Sequence, residues 1–184
     1  MAWRSQPLPP TATYLLPPAL AASENALYLH GGLSGDGAQV DALWRLDLAS
    51  NRWARVRTEG AAPDAASGHS LVLLRDRLVL LGARGSAAAT AAASVLQPAA
   101  EDGAERPPAA DVWTLELGAR PLRWARHAAP AALARVARRA APHHAADLML
   151  VYGGAAGAAG ALLDDAWRWD ALGAWATDGE GRAL

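Results

Sequence analysis

The sequence predicts an all-β fold made of about three similar units, each a four-stranded antiparallel sheet. Short apolar runs recur along the chain and end in glycine, and two tryptophan-bearing segments follow each run. An internal repeat of this length is the signature of a fold built from repeated supersecondary units. The repeated positions are Gly31, Gly32, Trp44 and Trp53 in the first unit, Gly82, Trp113 and Trp124 in the second, and Gly153, Gly154, Trp167 and Trp175 in the third.

The first and second strands of each unit are predicted from apolar runs that a tight turn separates. The turns are Glu24-Asn25 and Arg75-Asp76-Arg77, and Asn and Asp tolerate the left-handed backbone that such turns need. The second strands are apolar on both faces, as expected for strands that lie between two neighbouring sheets. The predicted first strands are 19–23 and 70–74, and the predicted second strands are 26–30, 78–81 and 148–152.

The third strands alternate partly between apolar and polar residues, which places them nearer the rim of the fold. They are predicted at 43–48, 112–117 and 166–170, and the fourth strands carry Trp53, Trp124 or Trp175. The first strand of the third unit must lie within 127–147. The arginines, histidines and proline of this stretch make a poor inner strand, so its position stays open.

Glycine and tryptophan recur for physical reasons. A chain that turns sharply after the second strand needs positive φ, which glycine adopts without a Cβ penalty. Tryptophan is a large apolar body with one N–H group, so at fixed repeat positions it is expected to pack sheet against sheet. Trp44, Trp113 and Trp167 are predicted to be equivalent, and Trp53 and Trp124 to be buried. Stacking on a carbohydrate or another ligand is the alternative role.

These motifs together resemble the kelch repeat. That pattern has an apolar strand ending in Gly-Gly, an Asp-x-Trp strand such as Asp111-Val112-Trp113, a further strand with Trp, and a Gly-His pair such as Gly68-His69. The second unit departs from it with Gly82-Ala83, and the third has Pro142-His143-His144 in place of Gly-His. The segment 149–154 is most similar to the attractin and muskelin branch. The resemblance implies a partial kelch-type β-propeller of about three blades.

The domain organisation follows from the repeats. Propellers close a ring of about 4–8 blades, so three blades are incomplete; a fragment is the favoured explanation, and other blades or chains are needed to complete the ring. Within the low-complexity insertion a short helix is expected near 87–96. The predicted parts are an N-terminal extension 1–17, repeat one 18–58, repeat two 67–127 with the insertion 83–110, repeat three 133–177 and a C-terminal tail 178–184.

Composition argues against several classes of function. The chain has seventeen basic and eighteen acidic residues, so its net charge is close to zero. Such a balance creates no strong electrostatic field that would favour binding to nucleic acid or to a membrane surface. The absence of cysteine removes disulfides and zinc-thiolate sites, and no cofactor is expected. No apolar run is long enough to span a membrane. Residues 1–22 resemble a signal peptide faintly, but prolines break the apolar segment, so a cytoplasmic location is favoured.

Three patterns suggest a catalytic or ligand-binding site, and each has a plainer interpretation. His69 lies near serines and an aspartate in sequence, but a catalytic triad needs spatial geometry, and the kelch resemblance implies a structural histidine there. His143 and His144 with Asp147 suggest a metal site, yet adjacent side chains on a strand point to opposite faces. Residues 153–160 lack the Lys-Ser/Thr of a phosphate loop and are predicted to be a hairpin loop. No catalytic or metal residue is therefore predicted.

The predicted function is a non-catalytic protein-interaction module that presents loops to a protein partner. Antiparallel order gathers the long loops 33–41, 58–68, 83–110, 127–139 and 155–164 at one end, and long loops on a rigid scaffold are where recognition usually lies. Arg135, Arg138 and Arg139 are the predicted partner-binding residues, because arginine suits carboxylate and phosphate groups. The alternatives are a kelch-fold enzyme acting on a sugar or other small molecule, and a structural subunit of a larger assembly.

Overall fold

The short apolar runs fold as strands that pair with their sequence neighbours. The structure is a computed structural model that describes residues 9, 14–16, 18–34, 40–64, 69–83, 110–133, 139–156, 161–170 and 172–177. In chain order the strands are β1 (Tyr14–Leu16), β2 (Ala19–Ala22), β3 (Ala26–His30), β4 (Leu33–Ser34), β5 (Leu43–Asp47), β6 (Arg52–Val56), β7 (Ser70–Leu74), β8 (Arg77–Ala83), β9 (Ala110–Glu116), β10 (Trp124–Ala128), β11 (Arg139–His143), β12 (Leu148–Ala156), β13 (Ala161–Asp170) and β14 (Trp175–Thr177).

Three four-stranded antiparallel sheets hold most of these strands. Blade 1 has the order β2-β3-β5-β6, blade 2 the order β7-β8-β9-β10, and blade 3 the order β11-β12-β13-β14. Two short 3-10 helices, Ala131–Leu133 and His144–Ala146, lie just before and just after β11. The predicted all-β fold of three antiparallel four-stranded units is confirmed. Within the described ranges, no helix is long and apolar enough to cross a membrane.

Blade 2 packs between the other two blades because its inner strands are apolar on both faces. Successive side chains of a strand point to opposite faces of the sheet. In β7, Leu71 and Leu73 belong to the core shared with blade 1, and Val72 and Leu74 belong to the core shared with blade 3. Strand β8 divides in the same way, with Leu78 and Leu80 on one side and Val79 and Leu81 on the other.

The register places the third-strand tryptophans at matching positions. Trp44 pairs with Leu29, Trp113 with Leu80 and Trp167 with Val151, and each partner lies two residues before the first repeat glycine of its unit. The fourth-strand tryptophans match as well: Trp53, Trp124 and Trp175 pair with Leu46, Leu115 and Trp169. In blades 2 and 3 these tryptophans pack toward the preceding blade.

Two tryptophans differ from expectation. Trp53 is only partly buried, whereas Trp124 is 7% exposed in the core between blades 1 and 2. Trp53 lies on the face of blade 1 away from blade 2, where none of the three sheets packs against it. Trp169, whose position is occupied by leucine in the other blades, is almost fully buried between blades 2 and 3. Sequence reasoning had assigned it no role.

The paired glycines adopt the expected backbone in units one and three. Gly31 and Gly32 have φ of 73° and 98°, and Gly153 and Gly154 have φ of 62° and 106°. The predicted end of the second strand at the glycines is wrong for blade 2, where β8 runs through Gly82 to Ala83, and for blade 3. There β12 continues to Ala156 through an irregular register between Tyr152 and Gly154, because glycine accommodates the extra residue of a bulge. Residues 155–156 and 161–164 of the predicted loop are therefore strand.

Strand β11 supplies the first strand of blade 3, which the sequence had left unplaced. It is mostly exposed and contains Pro142. A proline is tolerated there because β11 is an edge strand of its sheet. The N-terminal extension also takes part in the fold, since β1 pairs with β4. The helix expected near 87–96 lies outside the described residues.

We predict that Trp124→Ala lowers the free energy of unfolding by about 3–5 kcal/mol, the usual cost of truncating a buried aromatic side chain. Trp53→Ala is the matched comparison in blade 1, and we expect a smaller loss because this ring is partly exposed. Urea titrations of both variants measure the two values. Equal losses would show that the two rings are equally buried.

A second prediction concerns Gly153. Its φ of +62° costs about 1–2 kcal/mol for a residue with a Cβ, and that Cβ would lie 3.1 Å from the carbonyl oxygen of Leu163. Gly153→Ala should therefore lower the thermal midpoint. Gly118→Ala is the control, because its added Cβ would meet nothing nearer than a carboxylate oxygen of Asp76 at 3.8 Å. A Gly153→Ala midpoint no lower than that of Gly118→Ala would contradict the strain argument.

Candidate interaction surface

The antiparallel order of each blade gives the two ends of the sheets different connections. At one end, called the long-loop end, the second strands finish, the third strands start and the blades are joined to each other. The opposite end, called the tight-turn end, holds the short connections within each blade. The connections at the long-loop end span residues 31–42, 84–109 and 157–160 within blades, and 57–69 and 129–138 between blades.

Side-chain hydrogen bonds close the turns of the tight-turn end. Ser23 accepts a bond from the backbone N–H of Ala26, and the Asp47 carboxylate accepts bonds from the backbone N–H and hydroxyl of Ser50. These bonds lower the pKa of Asp47. Asp170, which matches Asp47 in register, accepts bonds from two backbone N–H groups of its own turn. Such local bonds fix short turns, so this end offers little adaptable surface.

Two histidines join blades 1 and 2 beneath the long-loop end. The Nε2 nitrogen of His69 donates to the carbonyl oxygen of His30 at 3.0 Å and lies 3.1 Å from the Nδ1 nitrogen of His30. The Nδ1 nitrogen therefore accepts from the same N–H group. The rings of Trp124 and His30 pack in a T-shaped arrangement, with centroids 6.1 Å apart. The sequence pattern predicts only a strand position for His30, at the end of an apolar run, and no role for its side chain.

Burial sets the charge of His30. Removal from water lowers the pKa of His30 to about 3, and the neighbouring His69 lowers it further. His30 is therefore uncharged at neutral pH and can act as an acceptor for His69. These contacts give His69 a structural place at the joint between two blades.

Rim arginines are engaged with carboxylates and tryptophan. Arg126 forms an ion pair of 2.9 Å with the nearly buried Asp111, and its guanidinium carbon lies 6.0 Å from the centre of the Trp113 ring. Arg123 pairs with Glu59 at 3.0 Å. Next to that pair, the backbone N–H of Glu59 donates to the carbonyl oxygen of Leu122, which ties the end of blade 1 to the outer strand of blade 2.

Of the predicted partner-binding residues, the structure describes only Arg139. It is the first residue of β11 and is exposed. Arg139 pairs with Tyr152, so its position matches Ala19 in blade 1 and Ser70 in blade 2, at the long-loop end of the first strands. Arg135 and Arg138 lie outside the described residues, so the proximity of the three arginines stays a prediction.

The residues considered for a metal site have other roles. His143 accepts a bond from the backbone N–H of Ala146 at 3.2 Å and so caps a 3-10 helix. Asp147 forms an ion pair of 3.1 Å with Arg75, which joins blade 3 to blade 2 at the tight-turn end. Among the described residues, no three His, Asp or Glu side chains are close enough together to hold a metal ion.

A comparison with protein-family models agrees with this architecture. Residues 5–175 match the model of the KLHDC2/KLHL20/DRC7 Kelch-repeats domain. The match covers all three blades and most of the chain. It gives no support to the finer placement in the attractin and muskelin branch, which stays a prediction.

The His30 contacts predict a pH dependence of stability. The pKa of His30 is about 3 in the folded chain and about 6.5 when unfolded, so between these values the unfolded state binds the extra proton. The contribution of neutral His30 to the free energy of unfolding is therefore complete above pH 6.5. As the pH drops toward 3, this contribution falls by up to about 1.4 kcal/mol per pH unit.

The test compares the wild type with His30→Asn, whose amide oxygen can replace the Nδ1 acceptor without titrating. Unfolding free energies measured at pH 7, 6, 5 and 4 should fall more steeply for the wild type. Parallel curves for the two proteins would show that His30 is not protected from protonation by the fold.

Proposed function

Since the chain belongs to the kelch-repeat family, we propose that it is a non-catalytic protein-interaction module, part of a kelch β-propeller that presents loops to a protein partner. The observation that carries this proposal is the difference between the two ends of the blades. Four of the five connections at the long-loop end have ten or more residues, and connections of two to seven residues, several of them closed by hydrogen bonds, occupy the other end. Recognition usually lies on loops that a rigid scaffold positions.

The scaffold beneath these loops supports the proposal. Two apolar cores fix blade 2 to both neighbours, and the His30–His69 contact and the Glu59–Leu122 hydrogen bond add polar links between blades 1 and 2. Loops anchored on such a frame lose less conformational freedom when a partner binds, which favours affinity.

The chemistry proposed for the partner is a carboxylate- or phosphate-bearing surface that meets Arg135, Arg138 and Arg139. Arg139 lies exposed at the long-loop end and, among the described residues, has no ion-pair partner. By contrast, Arg126 and Arg77 are already paired with carboxylates of their own blade. An unengaged guanidinium remains available to form paired hydrogen bonds with a carboxylate or phosphate of a partner.

The test replaces Arg135, Arg138 and Arg139 with alanine together and measures the retention of native partners in a pull-down. A hydrogen bond to a charged group contributes about 1.5–3 kcal/mol, so losing even one such contact should weaken binding by about tenfold or more. The control removes positive charge from the tight-turn end through Arg52→Ala and Arg120→Ala, both of which are exposed. Undiminished retention by the first variant would place the binding surface elsewhere.

A further inference from the structure

The outermost strand of blade 1 is a basic sheet edge. Strand β6 closes one side of its sheet, and among the described strands only β5 pairs with it. Arg52, Ala54 and Arg55 are exposed along this strand, and so is Arg57 directly after it. An edge strand presents backbone N–H and C=O groups with which a further strand can pair. The edge of β6 therefore combines backbone hydrogen-bonding groups with exposed guanidinium groups.

The corresponding arginines of blade 2 are already engaged within the fold. Arg126 occupies the register position of Arg55, since each pairs with the third-strand tryptophan of its blade. Arg126 lies 2.9 Å from a carboxylate oxygen of the nearly buried Asp111. Arg123, directly before β10, lies 3.0 Å from Glu59. The same kind of strand thus uses its arginines internally in blade 2.

The arginines of β6 are held far more loosely. Arg55 lies 3.8 Å from Asp41, and the two side chains are 58% and 68% exposed. An exposed ion pair of this kind contributes little to stability, so a carboxylate from outside can take the place of Asp41. Within the part of the chain that the structure describes, no carboxylate forms an ion pair with Arg57. Both guanidinium groups can therefore bind a partner without breaking a buried contact.

We propose that an acidic, extended segment of a protein partner adds to the edge of β6 as a further strand of blade 1, with carboxylates beside Arg55 and Arg57. Strand addition to an exposed sheet edge is a recurring mode of peptide recognition, in which main-chain hydrogen bonds give affinity and alternate side chains give specificity. Charge on an edge deters apolar strands, and positive charge also repels basic ones but attracts an acidic one. A nucleic acid could meet the arginines but has no strand backbone to pair with β6.

The alternation of side chains along β6 defines which partner residues matter. Arg55 shares a face with Trp53, and Arg52 shares the opposite face with Val56, which packs toward blade 2. Side chains directly across two paired strands lie on the same face and interact. A partner with a carboxylate at every second residue can therefore place its charges on the face of Arg55, away from Arg52. This surface is separate from the arginines proposed at the long-loop end.

The first experiment uses a capped, fluorescently labelled peptide of alternating glutamate and valine, whose binding to the 184-residue chain is measured by anisotropy. The same peptide with lysine in place of glutamate is the charge control, and we expect it not to bind. Hydrogen exchange of the β6 amides, followed by NMR, should slow when the glutamate peptide binds, because outward N–H groups gain partners. Binding without slower exchange would overturn the proposal, since it would show ionic attraction without strand pairing. Equal binding of the two peptides, or no binding of the glutamate peptide, would also overturn it.

The second experiment locates the charges that the peptide meets. Arg55→Gln combined with Arg57→Gln should weaken binding of the glutamate peptide by about tenfold, through the loss of two cross-strand charge pairs. Arg52→Gln is the matched control: it removes one charge from the opposite face of the same strand, so its effect should be about twofold or less. Losses of equal size in the control and the double variant would contradict the assigned face.

Two further comparisons keep the result interpretable. Arg55→Lys combined with Arg57→Lys preserves the charge and should retain most of the affinity, which shows that charge and not folding is responsible. The triple arginine replacement at the long-loop end should leave peptide binding unchanged, so failure of one proposal does not imply failure of the other. The peptide and exchange measurements use the unaltered chain and decide the proposal even if a variant is unfolded.

Discussion

Burial of two-sided apolar sheets is the constraint on which this structure depends. A strand such as β8, with Leu78 and Leu80 on one face and Val79 and Leu81 on the other, cannot be satisfied by a single neighbouring layer. The physical unit of this fold is therefore the joint between two blades, because a single four-stranded sheet of this composition would expose both of its apolar faces to water. The positions of the tryptophans and of His30 follow from that requirement.

Each joint meets the requirement with different side chains. Between blades 1 and 2 the filling includes Trp124, small alanines of β2 and the polar contact between His30 and His69. Between blades 2 and 3 it includes Met149 and Trp169, and the rings of His127 and Trp169 pack in a T-shaped arrangement with centroids 6.0 Å apart. The backbone register is conserved along the chain while the side chains are exchanged, as expected when total volume and patterning matter more than identity.

The sequence was most informative where a repeated pattern and a physical reason coincided. Apolar runs ending in glycine located β3, β8 and the start of β12, an apolar run before a tight turn located β7, and the spacing of tryptophans located the third and fourth strands of all three blades. Prediction failed where one blade departs from the others. Arg139 and Pro142 obscured β11, whose edge position relaxes the demand for apolar residues, and the glycines of unit three concealed a bulged strand that continues.

The candidate site was less predictable than the fold because its side-chain contacts join different blades. Strand order alone indicates which end of the sheets gathers the long connections, but the partners of individual side chains depend on distances between blades. The ion pair between Arg75 and Asp147 and the contact between His30 and His69 each join residues of different blades, far apart in sequence. The Gly-His motif indicated a structural role for His69, but no local motif identifies its partner His30 or the pairing of Arg75 with Asp147.

Pro142 also affects the tendency of the chain to aggregate at high concentration. Strand β11 forms one edge of blade 3, and an edge strand is a template on which other chains can add and aggregate. A proline has no N–H to offer an incoming strand, and its ring crowds the approach. The charged Arg139 at the start of the same strand adds a second deterrent. The residues that made this strand hard to recognise are thus the ones that protect its free edge from self-association into fibrils.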